Sequence, residues 1–170
     1  VGGLFSSAGG VSVNNIAAWN GTSFSALSSG LNSQVNALAV SPNNLLFAGG
    51  EFSSAGGNLA SRVASWNGTA WNPLGSGVND VVYLLSVGAD SMLYAGGGFT
   101  VAGGITLADR VARWNGYSWA HLDIDLPGAP FAVYPLASRY ADPVIKQKYN
   151  LWLGFDTIGT GIYDGKTVVN

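Results

Sequence analysis

The chain contains no cysteine. That removes disulfides, thiolate metal sites and a cysteine nucleophile together, and it says little of compartment. Charge is scarce as well, at 9% of residues, against about 25% in an ordinary domain. There is one His, one Glu and eight Asp in 170 residues. Hydrolysis of a glycosidic bond needs two facing carboxylates, and acyl transfer needs a nucleophile with a base and an orienting acid. That supply is too thin for either, so the chain reads as non-catalytic, with no cofactor expected. The net charge is -2 with no basic block, so there is no electrostatic footprint for nucleic acid. No apolar stretch reaches the ~20 residues of a spanning helix, so no membrane span is expected.

What the sequence does have is glycine, 25 residues of it, and 12% aromatics. Disordered chains carry many charges and few aromatics, so disorder does not fit. Gly and Asn clusters between short apolar runs predict many short strands joined by tight turns.

Three segments superimpose. The first runs Val1-Gly2-Gly3-Leu4-Phe5, Ala8-Gly9-Gly10, Trp19-Asn20-Gly21 and Phe24. The second is Ala48-Gly49-Gly50-Glu51-Phe52, Ala55-Gly56-Gly57, Trp66-Asn67-Gly68 and Trp71, and the third is Ala95-Gly96-Gly97-Gly98-Phe99, Ala102-Gly103-Gly104, Trp114-Asn115-Gly116 and Trp119. Phe5, Phe52 and Phe99 stand 47 residues apart, with one residue inserted before Trp114. A period in this range means a solenoid, a propeller or a similar array.

The strand pattern inside the unit decides between them. Residues 35–40 form an apolar run that stops at the turn Ser41-Pro42-Asn43-Asn44. Residues 45–48 make a second strand, expected to close at Gly49-Gly50. Residues 62–66 make a third, with Val63 and Ser65 on one face and Arg62, Ala64 and Trp66 on the other. Asn67-Gly68 is expected to supply the positive-φ residues of a tight hairpin. Residues 69–74 make the fourth strand, where Pro73 suits an outer edge because it cannot donate to a ladder. Four antiparallel strands per repeat describe a propeller blade, whereas solenoids of the leucine-rich or helical kind have one strand or none.

An apolar strand ending in Gly-Gly, then an aromatic before a turn and a Trp on the next strand, resembles a kelch-type blade. Leu93-Tyr94-Ala95-Gly96-Gly97, Trp114-Asn115-Gly116 and Trp119 carry the likeness best, and it covers residues 1–136. It departs from kelch units in having Trp where Tyr is common and in the second doublets Gly9-Gly10, Gly56-Gly57 and Gly103-Gly104. The resemblance implies a fold and not a chemistry. Galactose-oxidase-like propellers share the blade, but their copper site needs a Tyr-Cys crosslink, and this sequence has no Cys and a single His.

The expected organisation is all-β: about three kelch-like four-stranded blades in an incomplete ring, plus a small β-rich C-terminal extension. Blades are placed at 1–30, 33–77 and 80–125, with the first strand of a further blade at 131–136. Closed propellers need about four to eight blades, so other copies or other subunits are expected to complete this one. Residues 137–170 are read as a linker and β-hairpin segment of a second, apparently truncated domain. Pro127, Pro130, Pro135 and Pro143 disfavour helix there, residues 149–155 alternate like a strand, and 162–169 look like a hairpin turned at Asp164-Gly165. About 20 residues of this part are loosely similar to β-rich pieces of phage tail proteins. A chain starting at Val1 and stopping at Asn170 reads as a fragment, a processed product or part of something longer.

Candidate sites are few. On one strand face His121, Asp123 and Asp125 could seat a divalent cation, but one such cluster supplies too few oxygens for Ca²⁺, and a polar blade edge is the expected reading. Glu51, where the other copies have Leu4 and Gly98, is read as surface variation. Arg62 and Arg110, with Asn15 at the equivalent place, are expected to hydrogen-bond a neighbouring blade rather than line a groove. Trp19, Trp66, Trp71, Trp114 and Trp119 are the possible ligand-stacking residues, since aromatics beside Asn suit a pyranose face; packing between blades is the competing reading. Asn20-Gly21-Thr22 and Asn67-Gly68-Thr69 match the glycosylation pattern, yet the turn already demands Asn-Gly, and Tyr117 breaks the match in the third copy.

The functional expectation is a non-catalytic structural or interaction module of a larger surface or virion assembly, phage tail or fibre-like, placed outside the cell, on its surface or in a virion. A carbohydrate-binding propeller recognising a cell-surface glycan is the alternative. A hydrolase fragment with its remaining catalytic groups elsewhere is the third.

Overall fold

The structure, a computed structural model, describes residues 1–88, 90–106 and 110–121, together with the backbone of four later strands within 133–169. The chain is all-β, and no helix occurs among the described residues.

Two complete four-stranded antiparallel sheets are built the same way. The second repeat forms β5 (Val35–Val40), β6 (Leu46–Gly50), β9 (Val63–Trp66) and β10 (Trp71–Pro73), which pair in chain order. The third forms β11 (Val82–Val87), β12 (Leu93–Gly97), β15 (Val111–Trp114) and β16 (Trp119–His121), again in chain order. Pro73 lies on the outer strand opposite Ala64, so its missing donor leaves no gap in a central ladder. In the first repeat β3 (Ala17–Trp19) pairs with β4 (Phe24–Ala26), and a bridge joins Gly2 to Ile16.

Each unit also carries a two-residue hairpin that the strand pattern did not reveal. These are β1 (Ser7–Ala8) with β2 (Val11–Ser12), β7 (Ser54–Ala55) with β8 (Asn58–Leu59), and β13 (Val101–Ala102) with β14 (Ile105–Thr106). The second Gly-Gly doublet turns it: Gly56 and Gly57 take φ of 61° and 85°, both left-handed, as a mirror-image hairpin turn requires.

The first doublet closes its strand, as expected: Gly49-Gly50 and Gly96-Gly97 are the last two residues of β6 and β12. A Cβ on Gly50 would stand 2.0 Å from the Gln34 carbonyl oxygen, and one on Gly97 the same 2.0 Å from that of Val81. Both clashes arise beside register shifts at Val35/Ala37 and Val82/Leu84, where a bulge presses one strand toward the other. Glycine is required there for space, not for a turn.

The sheets stack face to face, with β11 against β5 and β6. Alternation in β6 and β9 sends Phe47 and Val63 into the core shared with the third sheet, along with Leu74, Val82, Leu85, Phe99 and Trp119. Ala48 and Ala64 face the other way, into a core with Ile16, Leu27, Leu31, Val35, Phe52 and Trp71. Both faces of the sheet are therefore buried, which explains runs too apolar for a half-solvated strand. Full burial of Phe52 and Phe99 stabilises by about 1.5–3 kcal/mol each.

Beyond residue 121, β17 (Val133–Pro135), β18 (Trp152–Phe155), β19 (Thr160–Tyr163) and β20 (Val168–Val169) form a fourth antiparallel sheet in chain order. Val133 pairs with Phe155, so backbone pairing crosses the expected boundary at 136/137. β17 lies against β11 and β12, much as β11 lies against β5 and β6. The strands expected within 149–155 and 162–169 fall at β18, β19 and β20; the expected linker and the turn at Asp164-Gly165 lie outside the described residues. Among the described residues no closed ring of sheets is formed.

Candidate functional site

The recurrent aromatics meet as pairs directly across a hairpin: Trp19 opposite Phe24, Trp66 opposite Trp71, Trp114 opposite Trp119. Ring centroids are 4.7, 5.4 and 5.4 Å apart and tilted, a favourable arrangement for aromatic pairs. The hairpin beneath them differs from expectation. Only Gly68 has positive φ, and Asn67 does not. Instead Asn67 Oδ1 accepts from the N–H groups of Thr69 and Ala70, replacing a main-chain acceptor with a side-chain one. Asn20 and Asn115 repeat the arrangement.

The five tryptophans singled out for stacking fall into three environments. Trp71 and Trp119 are each 3% exposed, and their indole N–H groups donate to the carbonyls of Leu27 and Leu74 in the preceding repeat. They are packing residues with no open ring face, because the neighbouring sheet lies on them. Trp66 and Trp114 are half-buried against the same cores. Trp19 is 53% exposed.

Arg62 and Arg110 sit outside the strands with φ of 64° and 57°. Among the described residues Arg110 donates from its guanidinium to the Gly98 carbonyl of its own repeat, not to a neighbouring one as expected. Asn15, at φ 61°, does reach toward the next repeat, donating to Leu31 O at 2.7 Å. Glu51 is exposed. His121 ends β16 at the surface, while Asp123 and Asp125 lie outside the described residues. Among the described residues no group of three or more His, Asp or Glu could hold a metal.

Two features went unnoticed in the sequence. Asn32 Oδ1 accepts from Ser53 N and Ser54 N, both at 2.9 Å, and Asn79 Oδ1 accepts from Thr100 N and Val101 N at the same distance. Each Asn clamps the segment leaving one sheet to the small hairpin of the next. Their 47-residue spacing was the available signal.

The second feature is a cleft of about 510 Å³ between the second and third sheets. Its walls include Ser65 and Asn72 from one sheet, Trp114 and Tyr117 from the other, and Asn43 and Ser91 from turns. Among the described residues no Asp, Glu, Lys, Arg or His lines it. Tyr117 is 91% exposed, whereas Ser65 is only 8% exposed. Ser65 Oγ donates a long 3.5 Å bond to Asn72 O and, among the described residues, accepts none.

No protein-family model, no curated protein and no solved structure matches this chain.

Proposed function

We propose that the chain is a non-catalytic structural or interaction module, built of kelch-like propeller blades, in a larger extracellular, cell-surface or virion assembly. The observation that supports this is one open face. Phe52, Ala55 and Trp71 on the second repeat are 0%, 1% and 3% exposed, because the first repeat covers them. Phe99, Ala102 and Trp119 are covered alike by the second. The equivalent Phe5, Ala8 and Phe24 are only half-buried, and beside them Leu4 and Trp19 are 73% and 53% exposed. An apolar face of this kind, rimmed by polar turns, marks an interaction surface.

The covering partner in this reading is a further sheet of the same type, from another copy of the chain or another subunit. Each internal interface already displays the complementary surface: Leu27, Leu31 and Val35 in one case, Leu74, Val78 and Val82 in the other. Such a head-to-tail contact is heterologous and leads to a ring or a filament.

Sedimentation equilibrium tests the proposal. Mass is expected to rise with concentration, and Trp19→Asp with Leu4→Asp is expected to abolish the rise. A mass independent of concentration, with Trp19 fluorescence fully open to acrylamide quenching, overturns it.

A further inference from the structure

We infer that the cleft between the second and third sheets is a binding site for a neutral saccharide. The inference is independent of the open face on the first repeat.

The repeat itself supplies the first argument. Ser65 stands where the other copies have Ala18 and Arg113, Asn72 where they have Ser25 and Ala120, and Tyr117 where they have Thr22 and Thr69. The fold tolerates any of these residues, because all three copies form the hairpin. Tyr117 alone departs from a residue that the other two copies share, and it meets Ser65 and Asn72 across one cleft.

The second argument is the chemistry of the lining. Tyr117 offers an open ring and Trp114 a half-open one, while Asn43, Asn72, Ser65 and Ser91 offer amides and hydroxyls. Aromatic bodies with a few placed polar groups are what a small-molecule site needs. Without ionised groups the cleft has nothing to repay the desolvation of a charged ligand. A pyranose fits both halves: its C–H face stacks on an aromatic ring, and its hydroxyls exchange hydrogen bonds with amides and serines.

The third is Ser65. A hydroxyl buried to more than nine-tenths normally has its hydrogen-bonding capacity filled. Here the oxygen makes one long donor contact and accepts nothing among the described residues. A ligand hydroxyl donating to Ser65 Oγ would fill that vacancy at the base of the cleft.

Titration calorimetry with cellohexaose, maltohexaose and mannohexaose at millimolar concentration, beside an anionic hyaluronan hexasaccharide, tests the site. At least one neutral oligosaccharide is expected to bind, with a saturable change in tryptophan fluorescence, and the anionic one is not. Tyr117→Ala and Asn72→Ala remove exposed side chains, so the fold survives, and each is expected to weaken binding about five- to tenfold. Trp19→Ala, remote from the cleft, is expected to leave affinity unchanged. Failure of all three neutral sugars to bind overturns the inference, and so does equal affinity for the hyaluronan. Binding untouched by Tyr117→Ala and Asn72→Ala overturns it too.

Discussion

The indole N–H of Trp119 donates a 2.8 Å hydrogen bond to the carbonyl oxygen of Leu74, 45 residues earlier in the chain. Trp71 makes the same bond to Leu27 at 3.0 Å. Each bond joins consecutive repeats at a buried point, so the aromatic that closes one hairpin also fixes the spacing of two sheets. The first repeat has Phe24 at this position, and among the described residues no sheet lies over it to present a carbonyl.

Replacing Trp119 with Phe should therefore cost about 1–2 kcal/mol, as a lost hydrogen bond and a small unfilled space. The cost stays moderate because Leu74 O keeps a second donor, Gly77 N. Urea unfolding of Trp119→Phe measures it; a loss under a few tenths of a kcal/mol would show that the bond does not couple the repeats.

The two kinds of glycine doublet should respond differently to alanine. In Gly97→Ala the new methyl meets the Val81 carbonyl at 2.0 Å, and backbone cannot step aside cheaply. In Gly104→Ala nothing lies within 4 Å, and only the left-handed φ of 84° is penalised, at about 1–2 kcal/mol. The expected result is severe loss of folded protein for Gly97→Ala and a modest fall in Tm for Gly104→Ala. Equal effects would refute the steric account of the first doublet.

Asn79→Ala removes the clamp on Thr100 N and Val101 N. The site is exposed, so water takes over part of the bonding, and a loss of about 1 kcal/mol is expected. Hydrogen exchange should quicken at Thr100 and Val101 before it does in β12, which makes amide exchange the sharper measurement.

Burial of the repeated tryptophans predicts a graded alanine series. Trp19→Ala should change stability by no more than about 0.5–1 kcal/mol, since its ring is 53% exposed and touches mainly Phe24. Trp71→Ala should cost about 3–5 kcal/mol, as for a large buried aromatic. Thermal unfolding of the two variants separates them, and similar losses would mean that the first repeat is covered in solution.

Much of this architecture was legible in the sequence. Spacing alone located the repeats, and alternation with turn residues located the four strands of the second, because strand period and turn chemistry are local properties. Pro73 declared an edge strand for the same reason. Local reading faltered where the backbone meets a distant neighbour. Gly49-Gly50 does end its strand, but the need for glycine there was hidden, since it depends on a bulge that brings the Gln34 carbonyl against Gly50. The inserted hairpins were hidden because two-residue strands carry no periodicity, and their Gly-Gly turns resembled the other doublet.

The candidate site was less legible still. Five tryptophans looked equivalent in sequence, and the stacking of sheets separated them by burying Trp71 and Trp119 and leaving Trp19 open. Ser65, Asn72 and Tyr117 had no local mark, since 52 residues separate the first from the last and only the packing of one sheet on another brings them to a common cleft. The sequence by itself determined the scarcity of ionisable groups, the repeat and the strands, all of which follow from composition and short-range order. Tertiary structure alone decided which repeated aromatic is core, which face stays uncovered among the described residues and which residues of different repeats share a cleft, because burial is a property of neighbouring sheets and not of the unit.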